Sequence, residues 1–142
     1  MRGGVRLAAG MLGLSAVLLA AGLAAGRAPS APPAGVRTIH LSIRFSSFQP
    51  ERIDAVAGET VRFVIENTDP IDHEFILGDD LVQQIHERGT EAVHPPKPGE
   101  VSAFAGTTTT TTYTFGAPGE LTFACHLPGH FAYGMHGTVT VS

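Results

Sequence analysis

Residues 121–141 read LTFACHLPGHFAYGMHGTVTV. The run LTFAC has the β-branched and aromatic character of a strand and ends at Cys125, and GTVTV is the closing strand. Between them lies a loop that carries the chain's only cysteine next to His126, with His130 in its middle and Met135 at its far side. A loop joining two strands can bend several side chains toward one point, so this stretch specifies both a β architecture and a cluster of soft donor atoms.

Upstream, the same period of two recurs. In VRTIHLSIRF, residues 36–45, Ile39, Leu41, Ile43 and Phe45 alternate with polar positions. In ETVRFVIEN, residues 59–67, Val61, Phe63 and Ile65 share one face, bounded by the turn signals AGE and NTDP. IDHEFIL, residues 71–77, continues as a short strand. Residues 79–94 break the pattern: Asp79 or Asp80 can cap a short helix through LVQQIHER, whose Leu81, Val82 and Ile85 share a face, with Gly89 ending it. VSAFA and the run TTTTTTYTF supply two more strands, because threonine is β-branched and the run closes on Tyr113 and Phe115. Seven or eight strands with regular turns and one short helix in an insertion predict an all-β fold, an antiparallel Greek-key β-sandwich.

The first residues belong to a different regime. Arg2 and Arg6 precede an uncharged Ala-, Leu- and Gly-rich run over 7–26. That is the layout of a signal peptide, or of an uncleaved N-terminal anchor, and no cysteine follows it to carry a lipid. Residues 27–35, RAPSAPPAG, read as a flexible linker, and residues 36–142 as the folded domain. The domain is therefore expected outside the cytoplasm, in the periplasm or cell envelope or secreted. One cysteine allows no internal disulfide, and a net charge of −4 without a basic cluster after residue 35 argues against nucleic acid.

A thiolate, imidazoles and a thioether form a soft donor set that selects copper, above all when one Cys and two His are joined by a weakly bound Met. A further imidazole is needed, and His73, in DHEF just past the NTDP turn, enters a strand that can approach the same end. Together with AGETVRFVIENTDPIDHEF at 57–75, the motif C-x4-H-x4-M followed by a Gly and an alternating strand resembles the cupredoxins, the small blue copper proteins similar to plastocyanin, azurin and rusticyanin. The resemblance covers essentially all of residues 36–142. It implies one type 1 copper held by His73, Cys125 and His130 in the equatorial plane, with Met135 axial. It also implies electron transfer by a monomer whose redox partner docks on an apolar collar of Leu127, Pro128, Phe131 and Tyr133 beside His130.

Two departures bear on this. Glu74 stands where many members of the family have Asn, and a carboxylate there could accept backbone N–H bonds, lower the copper potential or, as a further alternative, ligate the metal. His126 directly follows Cys125, and adjacent residues of an extended segment point to opposite sides, so His130 rather than His126 is expected at the metal. His86 and His94 read mainly as surface histidines, with the alternative that they join His126 or His136 in a second metal site. That alternative belongs to a competing function, extracytoplasmic copper buffering or delivery. Four protein donors leave no open position for a substrate, so no enzyme is expected, and His40 is given no role.

Overall fold

The computed structural model describes residues 35–89, 93 and 95–142. The expected signal peptide or anchor over 1–26, all of the linker but Gly35, and His94 lie outside the described residues. Nine strands and one helix follow: β1 (Arg37–Arg44), β2 (Ser47–Gln49), β3 (Arg52–Ala55), β4 (Thr60–Asn67), β5 (His73–Gly78), α1 (Asp80–Glu87), β6 (Glu100–Ala103), β7 (Thr108–Thr114), β8 (Gly119–Ala124) and β9 (His136–Val141). They form a four-stranded sheet in the order β2-β1-β4-β7 and a five-stranded sheet in the order β3-β9-β8-β5-β6.

Most pairs are antiparallel, as alternation suggests, but β1 runs parallel to β4 and β3 parallel to β9. Parallel neighbours cannot be joined by a tight turn. Here β1 reaches β4 only after the chain has passed through β2 and β3, the latter in the opposite sheet, and that crossing makes the parallel pair. Neither β2 nor β3 is anticipated by the sequence reading, because SFQPERIDA is too short and too charged to show a period.

The strands form because one face of each finds apolar partners. Along β4 the burial alternates, with Val61, Phe63 and Ile65 inside and Arg62 and Glu66 outside. The threonine run is indeed a strand, paired with β4 from Thr108 to Thr114. Its buried member, Thr111, donates its hydroxyl to the Lys97 carbonyl at 2.7 Å and accepts the Gly99 N–H at 3.0 Å. Between the sheets Phe48, Phe63, Phe75 and Phe123 pack ring on ring, with centroids 5.2–6.0 Å apart. Each such buried ring contributes roughly 1.5–3 kcal/mol.

Strand β5 lies between β6 and β8 and is buried along its whole length. Phe75 and Leu77 enter the core between the sheets. The other face of β5 lies beneath α1, which packs on β5 and β8. The alternation of β5 and β8 continues to one end of the sandwich, where His73 follows the Phe75 face and Cys125 the Phe123 face.

Candidate metal centre

At that end, ligand atoms of His73, Cys125 and His130 lie within 4.8 Å of one another. His130 Nδ1 is 3.2 Å from His73 Nδ1 and 3.2 Å from Cys125 Sγ. Among the described residues no other group of three or more His, Cys, Asp or Glu side chains converges in this way. The pairing of β8 with β9 sets Cys125 opposite Met135: the Cys125 N–H donates to the Met135 carbonyl at 3.1 Å, and the Met135 N–H to the His130 carbonyl at 3.1 Å. Met135 is 1% exposed and part of the core beside Cys125. Gly129, at φ +87°, makes the turn that brings His130 back over Cys125, a conformation a side chain would oppose.

The site is braced from below by a residue the sequence reading missed. Asp69 accepts the backbone N–H groups of Phe45 and Ser46, both at 2.7 Å, and the His73 Nε2–H at 3.1 Å. Phe45 and Ser46 sit at φ 54° and 52°, so the carboxylate stabilises a left-handed turn while it orients the histidine. Asn67 locks the same segment, donating to the Ile71 and Ala103 carbonyls and accepting the Asp69 N–H. With Nε2–H on Asp69, the Nδ1 lone pair of His73 faces the cluster. The only signal in the sequence was the placement of Asp69 four residues before His73, inside a turn whose other partner could not be foreseen.

Electrostatics fits a cation. Burial, together with the neighbouring His130, lowers the His73 pKa despite its hydrogen bond to Asp69, which keeps the imidazole neutral. Burial pushes the Cys125 thiol up to about 11, so without a metal it is protonated at neutral pH. A bound cation releases that proton and takes the thiolate. Two imidazoles, a thiolate and a buried thioether nearby are the donor chemistry that favours copper over hard cations.

The other histidines fall elsewhere. His126 points to the far face of the sheet, where Nε2 lies 2.8 Å from Gln83 Oε1 and Nδ1 2.9 Å from Glu87 Oε2. Glu74 accepts the His126 N–H at 2.7 Å, so it braces the strand bearing Cys125 from outside the cluster. His86 is not on the surface as expected: it is 8% exposed, with Nδ1 2.8 Å from the Val82 carbonyl and Nε2 3.3 Å from Glu100 Oε2. Of the collar, Leu127 and Phe131 are half-buried, whereas Pro128 is exposed and Tyr133 is 91% exposed.

A β-sandwich that gathers two imidazoles and a thiol beside a buried thioether at one end defines a class, the small proteins that hold a soft transition metal. The family of copper binding proteins of the plastocyanin/azurin type matches residues 40–142. The chain belongs to that family, and it is a copper-binding cupredoxin. The copper-resistant cuproprotein CopI of Rubrivivax gelatinosus is 39% identical over 97 residues, which cover 66% of this chain and 59% of that protein. The protein of the same name from Pseudomonas aeruginosa is 30% identical over 138 residues, covering 74% of this chain and 76% of that one. The solved structure of auracyanin B, a protein of Chloroflexus aurantiacus, superposes with a TM-score of 0.62 at 25% identity, over 80% of this chain and 93% of that one.

Proposed function

We propose that this protein is a type 1 copper electron carrier of the cell envelope, with His73, Cys125 and His130 as the strong ligands and Met135 as the weak axial one. The observation that carries the reading is an asymmetry of exposure. His73 and Cys125 are 1% and 0% exposed, whereas His130 is half-buried in a loop that reaches solvent. Copper, when bound, supplies a one-electron couple, and the chain's own residues do the rest. Asp69 and the β8–β9 pairing hold the donors in place, so little has to move between oxidation states. The sandwich closes off His73 and Cys125, and the His130 edge is left as the contact for a redox partner, with Leu127, Pro128, Phe131 and Tyr133 around it.

Four protein donors leave no position for a substrate, which favours a carrier over an enzyme. Arg2, Arg6 and the apolar run over 7–26 support export or anchoring outside the cytoplasm, with 27–35 as linker and a monomeric domain from residue 36. Repeated reduction with ascorbate and reoxidation with ferricyanide tests the carrier reading. The expected result is reversible bleaching with one copper per chain retained throughout; release of the metal on reduction would overturn it.

A second reading is favoured by the two relatives described as copper-resistant cuproproteins. Under it the same site protects the cell envelope by binding and passing on copper. Transfer of copper from the loaded protein to an acceptor chelator within minutes, and copper sensitivity of a strain lacking the gene, would select this role over electron transfer.

A further inference from the structure

Each of the four proposed ligands is followed directly in sequence by one of Glu74, His126, Phe131 and His136, and the structure joins these four followers to one another. Glu74, after His73, accepts the N–H of His126 at 2.7 Å. His126, after Cys125, lies flat on Phe131, with centroids 4.9 Å apart and planes 18° apart. Phe131, after His130, meets the ring of His136, which follows Met135, at 5.3 Å. The residues that follow the four ligands are thus linked in one run of contacts, Glu74 to His126, His126 to Phe131 and Phe131 to His136.

Helix α1 closes this run. The Gln83 amide donates to the Thr122 carbonyl at 2.8 Å and to the Ile76 carbonyl at 3.2 Å, which bridges β8 to β5 and fixes which way the amide faces. Its Oε1 then accepts from His126 Nε2, and Glu87 Oε2 lies 2.9 Å from His126 Nδ1. Each imidazole nitrogen lies beside an oxygen of α1, so a flipped ring would set carbon atoms where the nitrogens now sit and lose the bond to Gln83.

The orientation of α1 points the same way. Its buried residues are Gln83 and His86, while Leu81 and Ile85 are 64% and 56% exposed. A short helix normally turns its apolar stripe to the core. This one leaves that stripe in solvent and places an amide inside, an arrangement that is stable only because every polar atom of Gln83 is bonded. Hydrogen bonds to the ligand-bearing strand, rather than apolar burial, thus set the seating of the helix.

We propose that this run of contacts, anchored by α1, preorganises the copper ligands, and that Gln83 and Glu87 are positioning residues for the metal. The inference rests on the ligand set proposed above. The test compares Gln83→Leu and Glu87→Ala with Leu81→Ala, which alters only the solvent face of the same helix. Three quantities are measured: copper affinity by chelator competition, the visible spectrum of the Cu(II) form, and amide hydrogen exchange of residues 126–135 in the metal-free protein.

The expected result is a loss of copper affinity of roughly 10–100-fold, a shifted band and faster loop exchange in Gln83→Leu and Glu87→Ala, with Leu81→Ala like wild type. A merely structural role would lower the melting temperature without moving the spectrum or the affinity of the folded protein. Glu87 is 57% exposed, so Glu87→Ala carries the test if Gln83→Leu fails to fold. Wild-type affinity, band and loop exchange in the folded variants would overturn the proposal. If wild type itself takes up no copper, the ligand assignment fails instead, and loop exchange in the metal-free protein still decides whether α1 holds the loop.

Discussion

Replacing Asp69 with alanine removes one carboxylate and strands three donors. The Phe45 and Ser46 N–H groups and the His73 Nε2–H lose acceptors at 2.7, 2.7 and 3.1 Å. A buried donor left unpaired costs about 1–3 kcal/mol. The first two lie in a turn whose Phe45 is 80% exposed, so water can reach them and the low end applies. The His73 side chain is fully buried, so its donor falls nearer the middle of the range. The sum is about 3–4 kcal/mol, with the left-handed turn at Phe45 and Ser46 losing its restraint as well. For a domain of this size such a loss lowers the melting temperature by more than about 10 °C. Urea unfolding of the metal-free protein measures it directly, because the m-value should stay unchanged while the midpoint falls. Copper affinity should fall with it, as the His73 ring is no longer oriented. A metal-free Asp69→Ala protein within about 0.5 kcal/mol of wild type, the ordinary range for surface substitutions, would refute the reasoning.

Three further outcomes follow from particular contacts. Met135→Leu keeps the side chain's volume in the core but removes the thioether, so the thiolate-to-copper band should persist while the potential changes; complete loss of copper binding would show that Met135 does more than bind weakly. Gly137→Ala would place a Cβ against the Phe123 ring and 2.5 Å from the Glu51 carbonyl, so a destabilisation of about 1–3 kcal/mol is expected by urea titration, and a neutral result would mean that β9 can shift. Glu59 is held below the usual carboxylate range by its hydrogen bonds from Arg37, which outweigh its burial, with the Val56 N–H adding to them. Its contribution is therefore complete above the ordinary Glu pKa and is lost as pH falls through the lowered folded value. The stability gap between wild type and Glu59→Gln should close as pH falls below the ordinary Glu range, and a gap that widens on acidification would contradict the assignment.

How far the sequence alone reached depended on whether a feature was local. Alternation in residues 36–45 and 59–67, the β-branched threonine run and the spacing from Cys125 to Met135 each express a preference that needs no distant partner. The parallel pairing of β1 with β4 depends instead on the chain crossing between sheets at β3, which no local pattern encodes. Helix α1 was legible as a helix with an Asp79 cap, and Asp79 does accept the Val82 N–H. Its seating was not, since Leu81, Val82 and Ile85 pointed to an apolar contact, whereas the partners awaiting it were carbonyls of β5 and β8 and the ring of His126. The same applies to Asp69: its role emerges only when the turn at Phe45 and Ser46, more than twenty residues earlier in the chain, is brought beneath His73. Histidine and cysteine carried the site because their chemistry is rare, while the residues that hold them in place are common types with unremarkable neighbours.

The central claim, one thiolate-bound copper at Cys125, is tested most directly by titrating the purified protein with Cu(II) while recording visible absorption and bound copper per chain, beside Cys125→Ser. An intense charge-transfer band that saturates at one copper per chain, and is absent from a folded Cys125→Ser protein, is the predicted result. A weak band in wild type, or one that survives in Cys125→Ser, would contradict the account.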